Sequence, residues 1–119
     1  TYQGVRILGL GGCMRYKQSG GHQYTQRQMD RRVRKRRLDL YRKGGFDILL
    51  SHAPALGLND GKDLCHTGFD AFNGLMDKYK PRYFVHGHIH MTYGQDIPRL
   101  SSYGDTQVIN AYESYTFDY

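Results

Sequence analysis

The chain has 119 residues, 39% of them hydrophobic and 13% aromatic, which supplies one packed core and excludes an intrinsically disordered chain. Its net charge of +6, from 17 Lys and Arg against 11 Asp and Glu, favours anionic partners. No apolar run approaches the ~18 residues that a membrane-spanning helix needs, no signal peptide is visible, and the two cysteines, Cys13 and Cys65, read as free thiols of a reducing cytoplasm.

The first element is an apolar run over residues 5–10 that enters Gly11-Gly12 and reads as a strand. Thr25-Gln26-Arg27-Gln28 has the pattern of a capping box, and Met29, Val33, Leu40 and Tyr41 recur at helical intervals, which predicts one amphipathic helix over about residues 25–43 stopped by Gly44-Gly45. Residues 46–50 form a buried strand. Thr67-Gly68-Phe69-Asp70 fits a second capping box, followed by an apolar face of Phe69, Phe72, Leu75, Met76 and Tyr79 that ends at Lys80-Pro81. Residues 83–85 are a further strand. Residues 107–111 and 114–119 alternate like an antiparallel hairpin around Tyr112-Glu113. Strands alternating with helices predict an α/β fold, with the runs bounded by helices as the central strands and the last two as a sheet edge.

The helix over residues 27–43 carries Arg27, Arg31, Arg32, Arg34, Lys35, Arg36, Arg37, Arg42 and Lys43. A cationic segment of this density raises one reading of the function, a non-enzymatic module that binds nucleic acid or another polyanion. A solvated outer face is the commoner use of such a helix, and the remaining residues hold no recognised nucleic-acid-binding motif, so this reading is the alternative.

The histidines raise the other. Gly87-His88-Ile89-His90 follows the apolar run of residues 83–85, and residues two apart on extended backbone share a face, so His88 and His90 converge on one locus while Gly87 lets the chain bend. Ser51-His52-Ala53-Pro54 likewise sets a histidine just past the end of a strand, and in layered α/β folds ligands collect at those carboxyl ends. His86, inside its apolar run, reads as hydrogen-bonded packing, and His22 and His66 as loop residues.

These motifs resemble those of the calcineurin-like metallophosphoesterases. In that family a Ser/Thr-His-x-Pro strand end and a later Gly-His-x-His supply metal ligands, and this chain has both in that order, 36 residues apart from His52 to His88. Gly-Leu-Gly-Gly-Cys-Met-Arg-Tyr, residues 9–16, and Asn59-Asp60-Gly61-Lys62-Asp63 also look like those of small bacterial members, so the similarity runs from Gly4 to the end. The resemblance implies half of a four-layer α-β-β-α sandwich, with residues 1–119 as the C-terminal part of one catalytic domain. It implies two divalent metal ions, with His52 and His88 on one and His90 on the other; imidazole suits Mn, Fe, Zn or Ni. It implies hydrolysis of a phosphomonoester or phosphodiester by metal-bound hydroxide. The family's Asp-containing strand end, Gly-Asp pair and Gly-Asn-His-Asp/Glu loop have no match, and the chain opens at Thr1 without an initiator Met, so a missing N-terminal half is expected to complete the site and this piece alone to be inactive. Arg15 and Asn59, with Asp60 and Asp63, are the loop residues in reach of a substrate-binding or ligand-orienting role; no catalytic residue, specific substrate or oligomeric state follows from the residues.

Overall fold

The computed structural model describes residues 1–18, 20–89 and 98–119. The elements run β1 (Ile7–Leu10), β2 (Cys13–Met14), β3 (Gln23–Tyr24), α1 (Gln26–Arg34), α2 (Arg37–Lys43), β4 (Ile48–Ser51), a 3-10 turn (Leu64–His66), α3 (Asp70–Tyr79), β5 (Tyr83–His86), β6 (Leu100–Tyr103) and β7 (Thr106–Asn110). Five strands form one sheet in the order β1-β4-β5-β7-β6, with every pair parallel except the β6–β7 hairpin at one edge. The result is a mixed α/β fold with a mostly parallel sheet flanked by helices.

The order explains which face the helices cover. From β1 to β4 to β5 the chain moves one way across the sheet, and right-handed crossovers in a constant direction lay their helices on the same face. Leu8, Leu49, Phe84 and Val108 are register partners and so share a face. They pack in the core with Met29 and Leu40 from the first two helices and Phe72, Leu75 and Met76 from α3. The opposite face alternates with it. There Ile7, Leu50 and Leu100 are 45%, 48% and 52% exposed, while Tyr83 and Ile109 are covered. Phe117 and Tyr119 of the C-terminal tail lie on Tyr83, with ring centroids 4.7 and 6.0 Å away. The strand expected to be buried over residues 46–50 is therefore buried on one side only.

Three expected elements form differently. The basic helix is two helices: the first keeps its capping box, with Thr25 Oγ1 accepting from Gln28 N and Gln28 Oε1 from Thr25 N, but it ends at Arg34. Its apolar stripe lapses at Arg36 and Arg37, one turn after Val33, and Arg36 N turns back to Val33 O. Leu40 is buried, whereas Tyr41 is 82% exposed and belongs to no stripe. Gly44 and Gly45, both at positive φ, then close α2, their amides donating to Tyr41 O and Leu40 O. Thr67 does not cap α3: its hydroxyl donates to Asp63 O and closes the 3-10 turn, while Gln26 Oε1 accepts from Asp70 N. The partner of residues 107–111 is β6 rather than residues 114–119; a Gly104–Asp105 turn makes the hairpin, and the tail is used to cover Tyr83.

The base of the sheet is tied by one arginine. Arg6 donates through Nε and Nη2 to the two oxygens of Asp47 at 3.0 and 2.8 Å, and through Nη1 to Lys43 O and Gly44 O at 2.9 Å each. One guanidinium thus joins the entry to β1, the end of α2, where cations are favoured, and the entry to β4.

Candidate metal centre

β4 and β5 are interior neighbours in parallel register, so their carboxyl ends deliver His52 and His88 to the same rim. After β4 the Ser51 hydroxyl donates to Ala53 O at 2.6 Å, a tight turn that brings His52 out of the strand to an exposed position. After β5, Gly87 N donates to His52 O at 3.0 Å and continues the ladder past the last strand residue. His88 then takes φ +66°, a left-handed conformation unusual for a side-chain-bearing residue. The bend therefore falls on His88. Gly87 itself has no positive φ, and a Cβ there would make only a 3.8 Å contact with His52 O.

Asn110, at the carboxyl end of β7, holds this loop. It is fully buried; its Nδ2 donates to Ile89 O at 2.8 Å and its Oδ1 accepts from Tyr112 N at 3.0 Å. His86, its register partner, is buried at 1% exposure and donates through Nδ1 to Gly87 O. That is the packing role its place in the strand predicts. Burial holds its pKa below the ordinary histidine value and keeps the ring neutral.

The two imidazoles meet. His52 Nε2 lies 2.9 Å from His88 Nδ1, with ring centroids 4.7 Å apart. His88 Nε2 is 2.7 Å from Cys65 O, and because a carbonyl only accepts, Nε2 carries the proton and the lone pair of the neutral ring sits on Nδ1, facing His52. A backbone carbonyl that fixes one ring nitrogen so that the other can ligate is the usual support of a metal-binding histidine. Two nitrogens on one tetrahedral ion at Zn–N ~2.0–2.1 Å stand roughly 3.3 Å apart, so the 2.9 Å pair needs an adjustment of a few tenths of an ångström to share an ion. The donor set fits a divalent metal. His90 lies outside the described residues.

A third imidazole reaches the same locus from a loop read above as carrying no ligand. Gly68 sets this up: a Cβ at that position would fall 2.3 Å from Ala55 backbone atoms, so only glycine lets the segment press against the chain leaving His52. Phe69 N donates to Pro54 O, Leu56 N to Phe69 O, Gly68 N to Asp60 Oδ2, and Gln26 Nε2 to Gly68 O. The 3-10 turn then lies beneath His88, with the His66 ring 5.0 Å from the His88 ring. His66 Nδ1 donates to both oxygens of Asp63 at 2.7 and 2.9 Å, and that contact holds the Asp63 carboxyl below the usual range. One ligand atom each of Cys65, His66 and His88 lie within 4.8 Å of one another, a group able to hold a metal ion. Burial pushes the Cys65 thiol up, and both cysteines are free. The Asp-x-x-His spacing from Asp63 to His66, with both residues on one side of a turn, was the sequence signal for this imidazole.

Each substrate-binding candidate has a hydrogen-bond partner among the described residues. Arg15 donates to Gln23 O at 3.3 Å, between β2 and β3. Asn59, at φ +58°, donates to Ser101 Oγ of β6. Of the basic helix residues, Arg32 is anchored, donating to Gly11 O at 2.6 Å with its guanidinium 4.2 Å above the Tyr24 ring, while Arg27, Arg31, Arg34, Lys35, Arg36, Arg37, Arg42 and Lys43 are exposed. No helix among the described residues is long and apolar enough to cross a membrane. No protein-family model and no curated protein matches the chain.

Proposed function

We propose that this chain supplies part of the metal centre of a phosphoesterase of the calcineurin-like kind, with His52 and His88 on one divalent ion and His90 on a second. The observation that carries the reading is the His52–His88 pair, its nitrogens 2.9 Å apart at the ends of adjacent parallel strands and its proton position fixed by Cys65 O. The sheet face left open beside Ile7, Leu50 and Leu100 supports a layered sandwich in which a second sheet, from the part of the domain that carries the remaining ligands, packs here; parallel sheets are seldom open on one side.

The ions, when bound, supply Lewis-acid polarisation of the phosphoryl group and activation of water. The chain's own residues do the positioning. His52 and His88 bring Nε2 and Nδ1 together, Cys65 O retains the proton on His88 Nε2, Asn110 anchors the loop that carries His88, and Asp63 orients His66 at the rim. Mn, Fe, Zn and Ni all suit imidazole ligands. The substrate is a phosphomonoester or phosphodiester.

The test is calorimetric titration of the chain with Mn²⁺, beside turnover of p-nitrophenyl phosphate and bis(p-nitrophenyl) phosphate. Saturable Mn²⁺ binding that weakens at least tenfold in His52→Ala and in His88→Ala is expected, with turnover only when a segment completing the ligand set is present. Binding indifferent to both substitutions overturns the reading.

A further inference from the structure

We propose that Cys65, His66 and His88 form a position for a thiophilic ion, of the Zn²⁺ or Cd²⁺ class, that competes with the His52 position for the single imidazole of His88. The competition, though not the position itself, rests on the reading of His52 and His88 as a metal pair.

The two nitrogens of the His88 ring face different neighbours. His88 Nδ1 faces His52 Nε2 at 2.9 Å, and His88 Nε2 lies 2.7 Å from Cys65 O and 3.9 Å from Cys65 Sγ. A neutral imidazole has one lone pair, so it serves one ion at a time: through Nδ1 beside His52, or through Nε2 beside Cys65 and His66.

The second position has its own support. Asp63 accepts from His66 Nδ1, which leaves Nε2 as the nitrogen of that ring open to an ion, the carboxylate–histidine–metal arrangement. A tetrahedral ion with Zn–S ~2.3 Å and Zn–N ~2.0–2.1 Å separates its ligand atoms by roughly 3.5 Å, against the 3.9 Å from Sγ to Nε2 and the 4.8 Å limit of the whole group. Closing it takes a shift of the order of 1 Å at the turn Leu64–His66, whose residues are half-buried or exposed. Three protein ligands with one position left to water is a coordination that zinc accepts.

Ligand softness separates the two positions. Thiolate selects Zn²⁺ and Cd²⁺, whereas the His52–His88 pair offers nitrogen only and has no preference of that kind. When the ion binds, the Cys65 thiol loses its proton to solvent, the proton on His88 Nε2 passes to Nδ1, and His52 Nε2, which donates to Nδ1 in the structure, gives its proton to the other nitrogen of its own ring and accepts from Nδ1 in place of a metal bond. A thiophilic ion held there would thereby take His88 out of the other site, so that cadmium, the softer of the two, acts as an inhibitor.

Cobalt is the probe, because thiolate ligation gives a charge-transfer band in the near ultraviolet. Addition of Co²⁺ to the chain is expected to give this band at one ion per chain. It should disappear in Cys65→Ser and persist in Cys13→Ser. Affinity should fall at least tenfold in His66→Gln and about tenfold in Asp63→Asn, which retains a hydrogen-bonding side chain. His52→Ala should keep the band, with circular dichroism confirming the fold of each variant. Cd²⁺ preloading should weaken Mn²⁺ binding at least tenfold in the wild-type chain and leave it unchanged in Cys65→Ser. A band that is absent, that survives Cys65→Ser or that requires Cys13 overturns the site; an intact band with Mn²⁺ binding indifferent to Cd²⁺ overturns the competition. Failure of the His52–His88 reading shows separately, as Mn²⁺ binding indifferent to His52→Ala with the cobalt band intact.

Discussion

The two ends of the parallel strands use their polar side chains in opposite ways. At the amino ends, Arg6 binds Asp47 and the last carbonyls of α2, and the Thr106 hydroxyl donates to Pro81 O at 2.6 Å, so each polar group satisfies backbone or an oppositely charged partner. At the carboxyl ends, imidazole meets imidazole: His52, His88 and His66 gather with the half-buried thiol of Cys65, and His88 has a left-handed backbone. Polar groups at one end are satisfied by backbone or by opposite charge, whereas those at the other end face one another.

The largest effect lies between the ends. Phe84 is fully buried beneath both, so Phe84→Ala should cost about 3–5 kcal/mol and abolish the two ends together, measured by denaturant unfolding. Asn110→Ala should come next. It removes the donor to Ile89 O, at about 1–3 kcal/mol for a buried hydrogen bond lost, and should also weaken Mn²⁺ binding, since Ile89 adjoins His88. A stability loss without a change in ion affinity would detach Asn110 from the site.

At the amino end the prediction concerns acid. Hydrogen bonds from the Arg6 side chain and backbone hold the Asp47 carboxyl below its ordinary value, so its contribution to stability is present above the unfolded carboxyl pKa of about 3.9 and is lost as pH falls through the lower folded value. Asp47→Asn should therefore be less stable than the wild type at pH 7, and the difference should shrink as the pH falls below the unfolded carboxyl pKa of about 3.9, a convergence that unfolding over a series of acid pH values would reveal. The smallest effect on stability belongs to His52→Ala, within about 0.5 kcal/mol because the side chain is exposed, combined with the tenfold or greater loss of Mn²⁺ affinity. A variant that destabilised the fold as much as Asn110→Ala would erase the distinction between the two ends.

Much of this contrast was readable from local pattern. Apolar runs ending in Ser51-His52 and His86-Gly87-His88 marked the strands and their outlets, and the Thr25–Gln28 box and the Gly44-Gly45 stop formed as expected, because each depends on residues within a turn of one another. What escaped depends on distant contacts. The break after Arg34 follows a gap in the stripe that charge masked, and β6 displaced the tail as the partner of β7 through pairing that alternation alone does not specify. Cys65 and His66 came to the rim only because Gly68 lies against Ala55, a contact across thirteen residues. The bend at His88 instead of Gly87 had no sequence signal, since glycine is the default residue for such a turn.

The parallel register of β4 and β5 also sets when the centre can exist. Ile48 pairs with Tyr83 and Leu50 with Val85, each across thirty-five residues, and β1 meets β4 from still farther along the chain. Such pairings form late in folding, because loop closure must precede any gain from contact. An unfolded chain therefore holds His52 and His88 far apart and offers an ion no shared position. An ion bound by the folded form alone draws the equilibrium toward it, by about 2.7 kcal/mol at a hundredfold excess over its dissociation constant. Metal supply would then govern how much of this chain is folded as well as what the folded chain can do.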